Sequence, residues 1–200
     1  MSTEFRIVSL CGSAGALPAY IEILKAMPVD SGMAFVVLTH RRMGTPCWLV
    51  DILSRVTRMQ VGEIAEGCIF KPNQVYVIPA GEDLTTDGEM FSLVPATTVS
   101  GWPDAFDIYL ESVARTTHLR AVTVILSGMS EDGSAALKDL RKSGGLNYAQ
   151  ADAPSRGMPE SAVRTGMVDY VGSPEEIAAV ILGLPEIGRG ASSLKGLLPL

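Results

Sequence analysis

Three stretches of this chain are apolar at nearly every position: Phe5–Leu10, Met33–Thr39 and Ala121–Leu126. None of them alternates, so each predicts a strand buried on both faces, as in a parallel sheet covered by helices. Other segments carry a helical period. Leu17–Met27 is amphipathic and Pro28 stops it, with Asp30-Ser31-Gly32 turning the chain afterwards. Ala105–Thr116 places Phe106, Tyr109, Leu110 and Val113 on one face. Pro46 suits the first position of a helix running to about Val56. A helix is predicted from Ser134 to about Lys142, ended by Ser143-Gly144-Gly145, with a short one over Glu160–Thr165. Ser173 and Pro174 read as the cap and first turn of a last helix to about Leu182.

Shorter β-prone runs fill the gaps. Met59–Ile64, Gln74–Ile78, Leu146–Gln150 and Met167–Val171 predict short strands. Asp87-Gly88 within Asp83–Val94 is a hairpin signal, so the middle of the chain is expected to carry an antiparallel insertion. Thr97–Asp104, with Gly101, Trp102 and Pro103, reads as a loop, as does Ala151–Pro159. Alternating strands and helices imply an α/β fold: a doubly wound, mainly parallel sheet flanked by helices, with the hairpin added in the middle. Residues 1–183 form the expected domain and 184–200 a flexible tail rich in Gly, Pro and Ser.

Composition narrows the function. The 200 residues are 47% hydrophobic and 19% charged, enough for a substantial core. The net charge of −6 and a pI near 4.9 argue against nucleic acid as the main partner. Cys11, Cys47 and Cys68 are odd in number and lack metal-ligand spacing, so neither a disulfide framework, a metal site nor a cofactor is expected. No signal peptide and no membrane-length apolar run is visible, so the expected location is the cytoplasm, without direct membrane insertion.

The first apolar run ends at Cys11-Gly12-Ser13-Ala14-Gly15 and then opens into a helix. Such a strand, turn and helix can hold Ser13 out of the sheet as a nucleophile beside unpaired helix N–H groups. The plainer alternative is a strand-to-helix turn with Ser13 as an N-cap. His40 ends the second apolar run, either as a general base or as a satisfied strand-end histidine. Asp132 follows the third, either as the carboxylate orienting that base or as a turn or N-cap aspartate, with Glu131 as its rival. His118 reads as a surface residue near a helix end. In doubly wound sheets ligands lie outside the carboxyl ends of the strands, which is where Ser13, His40 and Asp132 would meet. That trio performs acyl transfer, with oxyanion donors expected near Ala14 and in the Gly128–Ser130 loop.

Several segments in the same order extend the reading. They are Gly12-Ser13-Ala14-Gly15, Val36-Val37-Leu38-Thr39-His40, Val75-Tyr76-Val77-Ile78-Pro79-Ala80-Gly81, Val124-Ile125-Leu126-Ser127-Gly128-Met129-Ser130-Glu131-Asp132-Gly133 and Gly157-Met158-Pro159-Glu160-Ser161-Ala162. With them the chain resembles the catalytic domain of the chemotaxis protein-glutamate methylesterases over about Ile7–Leu182. The resemblance implies Ser13 as nucleophile, His40 as base and Asp132 as acid. It also implies Met129 near the oxyanion position, hydrolysis of glutamate methyl esters on chemoreceptor cytoplasmic helices, and glutamine deamidation. The family's elbow commonly reads Gly-Ala-Ser-x-Gly-Gly, whereas Cys11 and Ala16 flank the turn here. Thr39 stands where Gln commonly precedes the histidine. Gly101-Trp102-Pro103-Asp104 replaces a common Arg-Pro pair, and a stand-alone catalytic domain without the family's receiver domain is expected. These departures keep two other readings open: a non-catalytic signalling module that binds a receptor or similar protein, and an esterase for another small ester.

Overall fold

The first apolar run lies at the centre of the sheet, as its unbroken hydrophobicity requires. In the computed structural model, which describes residues 5–40, 48–96, 98–99, 102–116 and 121–185, β1 (Arg6–Cys11) pairs in parallel with β2 (Met33–Leu38) on one side and β9 (Ala121–Ile125) on the other. Of Thr98, Val99, Trp102 and Pro103 the backbone alone is described. The chain winds outward from β1 in both directions. β3 (Gln60–Glu63) and β4 (Gln74–Val77) extend the sheet beyond β2, and β10 (Leu146–Gln150) and β11 (Tyr170–Gly172) extend it beyond β9. All seven strands are parallel, in the order β11-β10-β9-β1-β2-β4-β3.

Each face of the sheet carries its own apolar layer. Val8, Leu10, Phe35, Val37, Val122 and Val124 point one way, onto α1 (Leu17–Ala26), α2 (Trp48–Ser54) and α6 (Pro174–Leu182). Ile7, Cys11, Val36, Leu38 and Ile125 point the other way, onto α3 (Ala105–Ala114), α4 (Leu137–Lys142) and α5 (Gly157–Arg164). The connection after β1 therefore crosses one face and the connection after β9 crosses the other. The strand order reverses direction between these two neighbours, and sheets of this kind bind ligands outside the C-terminal ends of the strands at that point. The hairpin β5 (Glu82–Thr86) and β6 (Phe91–Pro95) adds Leu84 and Phe91 to the second layer and turns at Asp87-Gly88, with Gly88 at φ +96°.

Four expectations need correction. The 97–104 region is not all loop: β7 (Thr98–Val99) pairs antiparallel with β8 (Trp102–Pro103), a pairing too short to show as periodicity. α4 begins at Leu137 rather than Ser134, because Gly133 takes φ +87° and Ser134 folds back on the Glu131 carbonyl, its hydroxyl donating at 2.6 Å. α5 begins at Gly157, not Glu160, since Pro159 sits in the first turn, where no intrahelical donor is lost. The last strand is Tyr170–Gly172 rather than Met167–Val171. Ser173 does cap α6, in a full capping box with Glu176. Pro46, Cys47, His118 and residues 186–200 lie outside the described residues. Leu184 packs on the core and the Pro185 carbonyl accepts from Arg6 at 2.7 Å, so the tail's first two residues are docked.

Candidate active site

Register places the elbow and the histidine side by side. Cys11 of β1 stands opposite Leu38 of β2, and Ser13 and His40 each follow two residues later on adjacent parallel strands. The chain leaves β1 without slack: the Gly12 N–H donates to the Leu38 carbonyl at 3.1 Å and the Ser13 N–H to the Ser127 carbonyl at 2.8 Å. Tyr20 of α1, fully buried, donates from its hydroxyl to the same Leu38 carbonyl at 2.8 Å. A Cβ at position 12 would meet that hydroxyl at 2.7 Å and Ala16 Cβ at 2.5 Å, so the packing itself requires glycine there. Gly15 takes φ +79° and completes the turn.

Ser13 is not the N-cap of α1. That position is Ala16, without a side-chain cap, and Pro18 lies in the first turn. The Ser13 side chain is half-buried, and its hydroxyl has no hydrogen bond among the described residues.

His40 and Asp132 are joined directly. Nε2 of His40 lies 2.7 Å from Oδ2 of Asp132, across 92 residues of sequence. The carboxylate accepts only, so Nε2 carries the proton, and in the neutral imidazole Nδ1 is then the nitrogen with the lone pair. The imidazole also lies flat on Phe106, with ring centroids 4.2 Å apart and planes 4° apart. One contact fixes the direction of the ring and the other its plane.

Asp132 is buried, 6% exposed, and both its oxygens accept hydrogen bonds. Besides His40, Oδ2 accepts the Phe106 N–H at 3.1 Å and Oδ1 accepts the Asp107 N–H at 3.0 Å. These are orphan donors in the first turn of α3, where the helix dipole favours a negative charge. The expected capping role and the expected orienting role thus coincide in one carboxylate, although the helix it caps is α3 and not α4. Glu131 points away and pairs with Arg164 at 3.2 Å on the surface.

The third loop is locked onto the elbow by Ser127. Its hydroxyl donates to the Ala14 carbonyl at 2.7 Å and accepts the Ser155 N–H at 3.0 Å, while the Gln150 side chain accepts its N–H at 3.0 Å. Gly128 does not serve as an oxyanion donor, because its N–H donates to the Ser155 carbonyl at 2.9 Å. Its importance is steric: a Cβ would fall 2.0 Å from Sδ of buried Met158. Gly157 is as tightly held, with the Met129 carbonyl oxygen 2.4 Å from where its Cβ would lie. Met129 itself is 80% exposed at the rim, and Ala14 is exposed beside Ser13.

Phe106, Ser127 and Tyr20 escaped the sequence reading of the site. Phe106 and Tyr20 sit in helices whose period marks them only as core, and Ser127 reads as a turn residue. Below the site Cys11 is fully buried, and burial, then the nearby Asp132 and Asp107 charges, push its thiol well above its ordinary value. It stays a neutral packing group. Among the described residues no cluster of side chains is arranged to hold a metal ion, and no helix is long and apolar enough to cross a membrane.

Known proteins resemble this chain in sequence and in fold. A sequence model of the CheB methylesterase family matches residues 8–181. A protein-glutamate methylesterase/protein-glutamine glutaminase of Carboxydothermus hydrogenoformans is 32% identical over 188 residues, covering 88% of this chain and 55% of its own length. One from Caulobacter vibrioides is 31% identical over 189 residues, covering 92% of this chain and 55% of its own length. The chain spans about half the length of the curated relatives it matches. The crystal structure of the Thermotoga maritima CheB methylesterase catalytic domain superimposes with a TM-score of 0.82 at 25% identity, covering 89% of this chain and 97% of that one.

Proposed function

This chain belongs to the CheB methylesterase family, and on that premise we propose that it is a cytoplasmic serine hydrolase of glutamate methyl esters on chemoreceptor helices, with glutamine deamidation as a second activity. Ser13 is the nucleophile, His40 the base and Asp132 the orienting carboxylate. The observation that carries the reading is the 2.7 Å His40–Asp132 contact at the end of β2, one strand away from the Ser13 elbow.

The steps follow from the hydrogen bonding. With Nε2 donating to Asp132, Nδ1 of His40 takes the Ser13 proton as Oγ attacks the ester carbonyl. The imidazolium so formed gains from Asp132 on one edge and from the face of Phe106. The N–H groups of Ala14 and Met129 receive the oxyanion; neither is spent on another group among the described residues. The imidazolium then protonates the departing methoxide, methanol leaves, and an acyl-enzyme remains on Ser13. Water, activated by His40, attacks that acyl group and releases the glutamate carboxylate. A primary amide follows the same path with ammonia leaving, which is the deamidation.

The test is methanol release from methylated receptor membranes by the wild type and Ser13→Ala. Release by the wild type alone is expected. A folded wild type that releases none favours a receptor-binding module or another ester.

A further inference from the structure

Asp107 is a second carboxylate beside Asp132, and the mechanism above does not use it. It sits in the first turn of α3, where its N–H donates to Asp132. Its own side chain reaches the opposite way. Oδ1 accepts the Ala136 N–H at the head of α4 at 3.0 Å, and the N–H groups of Gly133 and Ala135 also reach the carboxylate. The two segments therefore hold each other through exchanged carboxylates. Asp132 grips the head of α3, and Asp107 grips the stretch that leads from Asp132 into α4.

A neutral Ser or Asn would cap α4 without placing a second charge in the site. Neither carboxylate pairs with a Lys or Arg among the described residues. The chain thus carries a charge whose ordinary structural purpose has a simpler solution.

We propose that Asp107 is a positioning residue: by holding the 131–136 segment against α3 it fixes the Asp132 carboxylate on Nε2 of His40. For catalysis the inference rests on the hydrolase reading; for the geometry of the pair it does not. The groups that face Asp107 are Asp132 from the β9–α4 segment and Cys11 from β1, with His40 stacked on the adjacent Phe106. Burial first, and then the Asp132 charge, push the Asp107 carboxyl up to about 6.

Four proteins decide it: wild type, Asp107→Ala, Asp107→Asn and, as a remote control, Ser173→Ala at the α6 cap. Two readouts are taken. One is the downfield ring N–H proton resonance of His40, assigned with His40→Gln. The other is kcat and KM for methanol release between pH 5 and 8. Asp107→Ala is expected to lose the resonance and at least tenfold in kcat, with KM within about twofold. Asp107→Asn is expected to keep the resonance and to recover most of the kcat that Asp107→Ala loses, because its amide oxygen still accepts from Ala136. Ser173→Ala is expected to melt earlier and change neither readout. An unchanged resonance in folded Asp107→Ala, or a folded Asp107→Asn that loses the resonance, overturns the proposal. If Asp107→Ala does not fold, Asp107→Asn decides: a kept resonance supports the proposal and a lost one overturns it. If the wild type hydrolyses nothing, the resonance still tests the positioning, so failure of the hydrolase reading is seen separately.

Discussion

Truncating Asp132 should cost both stability and activity, whereas truncating Ser13 should cost activity alone. Asp132→Ala removes a buried acceptor from the Phe106 and Asp107 N–H groups and from His40 Nε2. Loss of a helix cap costs about 0.5–2 kcal/mol. A buried donor left without its charged partner costs about 1–3 kcal/mol. The relief of no longer burying a carboxylate offsets part of this, leaving roughly 2–4 kcal/mol. For a domain of this size each kcal/mol moves Tm by about 2–4 °C, so Asp132→Ala should melt roughly 4–16 °C below the wild type. The Ser13 hydroxyl has no hydrogen bond among the described residues and is half-buried, so Ser13→Ala should stay within about 0.5 kcal/mol of the wild type. Both variants should lose roughly 10⁴-fold or more in kcat/KM. Calorimetry with methanol release on the same samples makes the comparison. Equal melting of the two variants, or an Asp132→Ala protein within about 1 °C of the wild type, would show that this carboxylate does not cap α3.

Three further outcomes are expected. The raised Asp107 carboxyl binds its proton more tightly folded than unfolded, so its contribution to stability is present at low pH and is lost as pH rises from about 4 to about 6. After allowance for solvent screening of this half-buried group, the stability difference between Asp107→Asn and wild type should move in favour of the variant by about 1–2 kcal/mol between pH 4 and 7, and a pH-independent difference contradicts this. Gly157→Ala would set a Cβ 2.4 Å from the Met129 carbonyl oxygen and force the loop to move, so hydrolysis should fall at least tenfold for about 1–3 kcal/mol of stability; full activity would mean that Met129 has no fixed part in the site. Removing the capping box with Ser173→Ala should lower stability by about 1 kcal/mol and leave kcat unchanged, as thermal melts and turnover on one preparation will show.

The sheet was legible because it is parallel. Its central strands are buried on both faces, so Met33–Leu38 and Ala121–Ile125 appear as unbroken apolar runs. Helix starts were less legible. At α4 and α5 they depend on a positive φ at Gly133 and on a tolerated Pro159, neither of which alters hydrophobic periodicity. In the site, Ser13, His40 and Asp132 could be named because each follows a strand. What holds them in place could not: Phe106 against His40, Ser127 bridging Ala14 and Ser155, and the Asp107–Asp132 exchange all join residues far apart in the chain. Gly128 illustrates the same limit: the Ser155 carbonyl that takes its N–H comes from a loop far along the chain.

The most direct measurement of the central claim is the intact mass of the protein after treatment with a fluorophosphonate, followed by peptide mapping. A single adduct on Ser13 is predicted, absent from Ser13→Ala and formed far more slowly in His40→Ala and Asp132→Ala. Labelling that persists in Ser13→Ala, or a folded wild type that takes up no label, would contradict the assignment of Ser13, His40 and Asp132 as one catalytic unit.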